Sequence, residues 1–198
     1  MTNSDRNRDR AVMMSESGRV PSWLGFPGAL SLHLCRTMRD VLLEQDAREG
    51  TWLTSEASEA LAALRDSYGD ILTSGKAPLE LQQEGAVWHT FAGGAINRVL
   101  VAGLEQLSGS RWISGNLSLR GKVASPAAAE TLLTELGHLD WEHTAAEAAR
   151  RMTRGSVSKF QPCLPQEMED RLLAERLLDV EGARKFTADL KLTIVKAG

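Results

Sequence analysis

The chain has 198 residues, 42% of them hydrophobic and 25% charged, with a formal net charge of -3. That length supports a substantial core, and the slightly acidic balance argues against autonomous, tight nucleic-acid binding; only a local basic face could meet a phosphate backbone. Cys35 and Cys163 lie far apart, and the four histidines have no metal-ligand spacing, so no zinc site is expected.

The opening MTNSDRNRDR has no apolar h-region of the kind a signal peptide carries, and no apolar run approaches membrane-spanning length. The expectation is a soluble, cytoplasmic, reduced protein. Residues 1–18 read as a disordered arm or a remnant strand. A loop follows, SGRVPSWLGFPGALS, whose apolar anchors Trp23, Leu24 and Phe26 need a surface to lie against. A helix is predicted over 31–45, with Leu34, Met38, Val41 and Leu42 as its inward stripe and Ser31 as cap. A second helix is predicted over 54–72, with Ala57, Leu61, Leu64 and Tyr68 inward and Thr54 or Ser55 as cap. The short connection favours an antiparallel pair.

LELQQEGAVWHTFA reads as extended, and a helix is predicted from Gly94 to Leu107 on the stripe Ile96, Leu100, Gly103, Leu104 and Leu107. RWISGNLSLRGKV resembles two short strands around Gly115-Asn116. Ser125 and Pro126 open the next helix, and Asp140 can cap another over 141–153. A helix over 166–178 should turn Met168, Leu172 and Leu173 inward, pair Glu167 with Arg171, and keep EMED at 167–170 in solvent. A shorter helix over 179–188 and a last strand, LTIV, close the chain. The expected class is α+β, mainly helical, with a small sheet near 79–123 covered by helices. Residues 19–78 form a loop and helix pair, and 79–198 a strand–helix–strand unit followed by helices, the two making one compact domain.

The junction VWHTFAGGAINRVL, residues 87–100, invites three readings. Free amides at a helix start attract phosphate, but GxxxxGK[ST] is absent and the spacing fails GxGxxG. Asn97, Arg98 and the helix amides could instead touch a nucleic-acid backbone. The simplest reading is a packing joint, where glycines let helix and strand approach closely. His89 fits a hydrogen-bonded core histidine; an enzyme using His89 and Thr90 lacks a base–orienter pair. No catalytic residue, metal site or cofactor is assigned. Trp88 or Trp112 could stack on bases. Arg150, Arg151, Arg154 and Lys159 form the best local basic patch, against the alternative of an ordinary charged helix face.

Four stretches occur in a telling order: RVPSWLGFPGALSLHLCRTMRDVL, SEASEALAALRDSY, VWHTFAGGAINRVLVAGLEQL and KFQPCLPQEMEDRLLAERLLDVEGAR. Together they resemble the region following the motor domains of large helicase-related (Lhr-type) superfamily 2 DEAD/DEAH-box helicases. Pro21, Trp23 and Gly25 match a P-x-W-x-G loop. His89, Thr90, Phe91, Gly93, Asn97 and Leu100 match an h-T-F-x-G-x-x-x-N-x-x-L unit, and Lys159, Phe160, Leu164, Pro165 and Asp179 the closing helices. The resemblance covers roughly residues 18–187.

It implies an accessory, non-motor domain of an ATP-dependent DNA helicase that helps enclose the tracking strand. Single-stranded DNA or RNA would be the partner, with Asn97, Arg98 and Trp88 on the DNA-facing edge. The family's Walker A lysine, DExH pair and arginine finger do not occur here, so ATP hydrolysis is not carried over. The chain opens at Met1 where the family's preceding strands end, which reads as a domain separated from its motor. A separately encoded motor is then the second expected partner, met through Trp23, Leu24 and Phe26. A pure interaction module and an inactive remnant are the alternatives.

Overall fold

The computed structural model describes residues 29–43, 52–73, 77–83, 85–152, 161–190 and 193–196. The expected arm at 1–18 and the anchors Trp23, Leu24 and Phe26 lie outside them. Among the described residues the fold is α+β: seven α-helices and a five-stranded mixed sheet.

Two helices lead: α1 (Leu32–Leu43) and α2 (Ser55–Thr73). Thr54 caps α2, its hydroxyl accepting from the Ala57 amide at 3.2 Å. The pair runs antiparallel and is clasped by two arginines. Arg39 of α1 donates to the Leu72 carbonyl at 2.9 Å, in the last turn of α2. Arg65 of α2 donates to the Val41 carbonyl at 2.7 Å, in the last turn of α1. Each cation thus meets the negative end of the opposite helix.

Of the expected inward stripe of α1, Leu42 packs inward and the other three side chains do not. Leu34, Met38 and Val41 are 45%, 38% and 43% exposed. Cys35, Leu42 and Leu43 face the small core shared with Leu72, Phe91 and Tyr68. LHLCRTMRDVLL carries apolar residues on two faces one residue apart, and the face through Cys35 and Leu42 meets the second core. On α2, Ala57 and Leu64 are likewise exposed, Leu61 and Tyr68 are half-buried, and Leu72 is buried.

The expected single extended segment is a hairpin. β1 (Leu79–Gln82) and β2 (Gly85–Trp88) pair antiparallel, Leu79 opposite Trp88 and Gln82 opposite Gly85. Gln83 lies in the turn after β1. α3 (Gly94–Ser108) follows, ending at Gly109 in the left-handed conformation with φ 64°. β3 (Ile113–Ser114) and β4 (Leu119–Gly121) form the second hairpin, and β4 pairs with β2. β5 (Ile194–Lys196) adds parallel to β1, giving the order β3-β4-β2-β1-β5. The sheet therefore recruits the C-terminal end of the chain as well as its middle.

α4 (Pro126–Leu136) starts at Ser125, whose side chain accepts from the Ala128 amide, with proline in the first turn. α5 (Trp141–Arg151) starts at Asp140 and α7 (Val180–Ala188) at Asp179, each capped by its carboxylate. α6 (Gln166–Leu177) is rotated from its expected setting. Met168 is exposed and Glu169 buried beside Leu173. Glu169 tolerates burial because the Gln161 amide donates to it at 2.8 Å. Arg171 pairs with Glu175 rather than Glu167. α3 is the central helix: Ile96, Val99, Leu100 and Leu104 lie in the main core with Trp88, Leu119, Leu136, Trp141 and Leu173.

Candidate functional site

The double-glycine junction joins the two cores. Trp88 and Ala92 belong to the main core, and Phe91, between them, to the α1–α2 core. The chain makes this switch through left-handed backbone at Phe91, φ 47°, and Gly93, φ 85°. A bulky residue there is sterically costly, and its burial at 2% exposure is what holds it. Gly93 and Gly94 then lie against the segment entering α1. A Cβ at Gly93 would stand 2.5 Å from the Leu30 carbonyl oxygen, and one at Gly94 2.8 Å from the Ala29 Cβ. The Gly93 amide donates to Asn116 O at 3.0 Å and the Gly94 amide to Leu30 O at 3.1 Å. These two amides are therefore engaged by protein carbonyls rather than open to a phosphate. The glycines are a packing joint.

Asn97 is the pin of that joint. Its Oδ1 accepts from the Thr90 hydroxyl at 2.8 Å, and its Nδ2 donates to Gly115 O at 2.7 Å and Asn116 O at 3.1 Å. In turn the Asn116 side chain accepts from the Leu30 amide at 3.0 Å. One small network so ties β2, α3, the β3–β4 turn and the entry to α1.

This corrects two expected strand contacts. Asn97 is 0% exposed and its polar atoms are spent inside the protein. Trp88 is also 0% exposed, its indole N–H donating to Ala77 O at 3.0 Å and its ring tilted against Phe186. Neither side chain reaches a nucleic-acid strand in this fold. Trp112 is buried too, with its ring lying over Gly121, where a Cβ would overlap it.

His89 is the buried, hydrogen-bonded histidine expected, 3.0 Å from Glu80 and edge-on to Tyr68 at 6.0 Å. Burial opposes ionisation of Glu80, but the His89 and Gln82 hydrogen bonds, with the charges of His89 and Arg120, hold its carboxyl below the usual range. The Thr90 hydroxyl is committed to Asn97, so the His89–Thr90 pair presents no nucleophile. Burial pushes the Cys35 thiol up, away from the reactive thiolate. Among the described residues no three His, Cys, Asp or Glu side chains stand together as metal ligands would.

Arg98 sits elsewhere. With Val101, Ala102, Glu105 and Gln106 it forms the outer stripe of α3, opposite the core stripe. That face and the His143, Glu147 and Met152 face of α5 enclose a cleft of about 370 Å³. Arg98 is half-buried, and Nη1 donates to the Leu177 carbonyl at 3.1 Å, at the end of α6. Desolvation by burial lowers its pKa. Arg150 is exposed on α5 and paired with Glu147. The Arg151 side chain, Arg154 and Lys159 lie outside the described residues, so the expected basic cluster is described only at Arg150.

The sequence reading missed the cleft, although the stripe Arg98, Val101, Ala102, Glu105, Gln106 at helical spacing was visible. Among the described residues no helix is long and apolar enough to cross a membrane. No family model, no curated protein and no solved structure matches this chain.

Proposed function

We propose that this chain is a non-motor accessory domain of a DEAD/DEAH-box DNA helicase. It docks on a RecA-like motor, helps hold a single strand of nucleic acid against it, and hydrolyses no ATP alone. The ordered resemblance described above motivates the reading. The observation that carries it is the exposed stripe Leu34, Met38 and Val41 on α1, three large apolar side chains on one helix face. A lone solvated helix has no need of such a stripe, while a second domain would cover it. The buried joint supports the same reading in a different way. His89, Thr90, Phe91, Gly93, Asn97 and Leu100, which carry the central part of the resemblance, are all buried together. On this reading these residues hold the domain together, and strand contact falls to the outer face of α5, where Arg150 is exposed.

The test combines the purified chain, the two-RecA motor of an Lhr-type helicase and a labelled single strand. Fluorescence anisotropy is read against salt. The expected result is a complex of chain and motor that grips the strand more tightly than the motor does, with a steeper salt dependence. Replacing Arg150 and Arg151 together by alanine should flatten that slope. Failure of the chain to associate with the motor or with the strand at low salt would overturn the proposal.

A further inference from the structure

The cleft between α3 and α5 has a property the docking model does not use. Arg98 lines it, and among the described residues its guanidinium has one protein acceptor, the Leu177 carbonyl, and no carboxylate paired to it. The neighbouring acids are otherwise engaged. Glu105 accepts from the Trp112 amide at 2.9 Å, and Glu147 is paired with Arg150. Arginine stays charged in proteins, and a half-buried charge without a counter-charge is costly. Its five donors match a carboxylate or phosphate head. The walls beside it, Val101, Ala102 and Met152, are apolar, and the cleft's volume of about 370 Å³ is that of a small-molecule site.

We propose that this cleft binds a small organic anion, with its carboxylate or phosphate head on Arg98 and its apolar body between α3 and α5. A nucleic-acid strand fits the same place less well. The site is a cleft of about 370 Å³ with apolar walls beside one cation, which suits a compact head and body rather than an extended strand. This inference stands apart from the helicase reading, since it uses neither the α1 stripe nor the motor.

The experiment titrates the full chain with n-hexyl phosphate, with hexanoate, and with inorganic phosphate as a head without a body. Heat of binding and the His143 ring resonances are followed. Saturable binding of hexyl phosphate or hexanoate that shifts His143 is expected, with inorganic phosphate weaker. Which of the two amphiphiles binds more tightly identifies the head group. Arg98→Gln should weaken binding about tenfold or more, the loss of a charged hydrogen bond. Ala102→Trp keeps Arg98 and fills the cleft, and should block the amphiphiles while sparing the Arg98–Leu177 contact; it guards against an Arg98 variant that fails to fold. Saturable binding unchanged in both variants, or no binding by any probe, overturns the site. A labelled single strand that displaces nothing from the cleft yet loses affinity in Arg98→Gln would assign Arg98 to the strand instead and overturn it too.

Discussion

The Thr90 hydroxyl donates to Asn97 Oδ1 at 2.8 Å across the joint between β2 and α3. Both residues are buried, and Asn97 spends its two remaining protons on the carbonyls of Gly115 and Asn116. Asn97→Ala strands one hydroxyl and two carbonyls, so the fold should lose about 3 kcal/mol. Thr90→Val removes a single donor and should lose about 1–2 kcal/mol. Urea denaturation of the two variants and their double mutant checks this. Because the residues share one bond, the double mutant should fall short of the sum.

Two left-handed glycines offer a controlled comparison. Gly109, φ 64°, has open space where a Cβ would point, while Gly93, φ 85°, has the Leu30 carbonyl oxygen at 2.5 Å. Gly109→Ala should cost about 1 kcal/mol, the conformational penalty alone. Gly93→Ala adds a clash with backbone that cannot rotate away, and should cost at least about 3 kcal/mol. Equal costs in denaturant melts would mean that the entry to α1 does not pack on the joint.

The Glu80–His89 contact sets an acid dependence. The carboxyl of Glu80 is held below its ordinary value of about 4.3 in the folded chain. Its contribution is therefore fully present above that ordinary value, and is lost as pH falls through the lowered folded value. Glu80→Gln should flatten the acid limb of a stability-versus-pH curve and leave its neutral plateau less stable. An acid limb that is unchanged would show that other carboxylates govern it.

The α1 stripe separates stability from docking. Met38 and Val41 are exposed, so Met38→Glu and Val41→Glu should change stability by no more than about 0.5 kcal/mol. Association with a helicase motor, measured by sedimentation, should fall at least about tenfold, because each variant places a charge in a desolvated apolar contact. Cys35→Ser, on the inward face of the same helix, should do the reverse and lower stability first.

Much of this protein is written locally. Ser125 before Pro126, Asp140 before Trp141 and Asp179 before Val180 place helix starts without help from the rest of the chain, because a cap answers amides only a few residues away. The stripe Ile96, Leu100, Gly103, Leu104 likewise identifies the central helix, as its period is strong and its charged residues, Arg98 and Glu105, fall on the other face. The sequence also offered the right suspects at 87–100, but not their direction. Period alone could not say that Trp88 and Asn97 turn inward, since both can serve an interface or a core. On α1, period pointed to Leu34, Met38, Val41 and Leu42, but the distant partners Leu72 and Phe91 meet the face through Cys35 and Leu42. On α6, a buried Glu169 was unreadable without Gln161 beside it. The parallel β5 beside β1 needed the chain to return from its far end. Sequence settles what neighbours within a turn can satisfy; the tertiary fold settles which polar group meets a distant partner, and so which face is spare for binding.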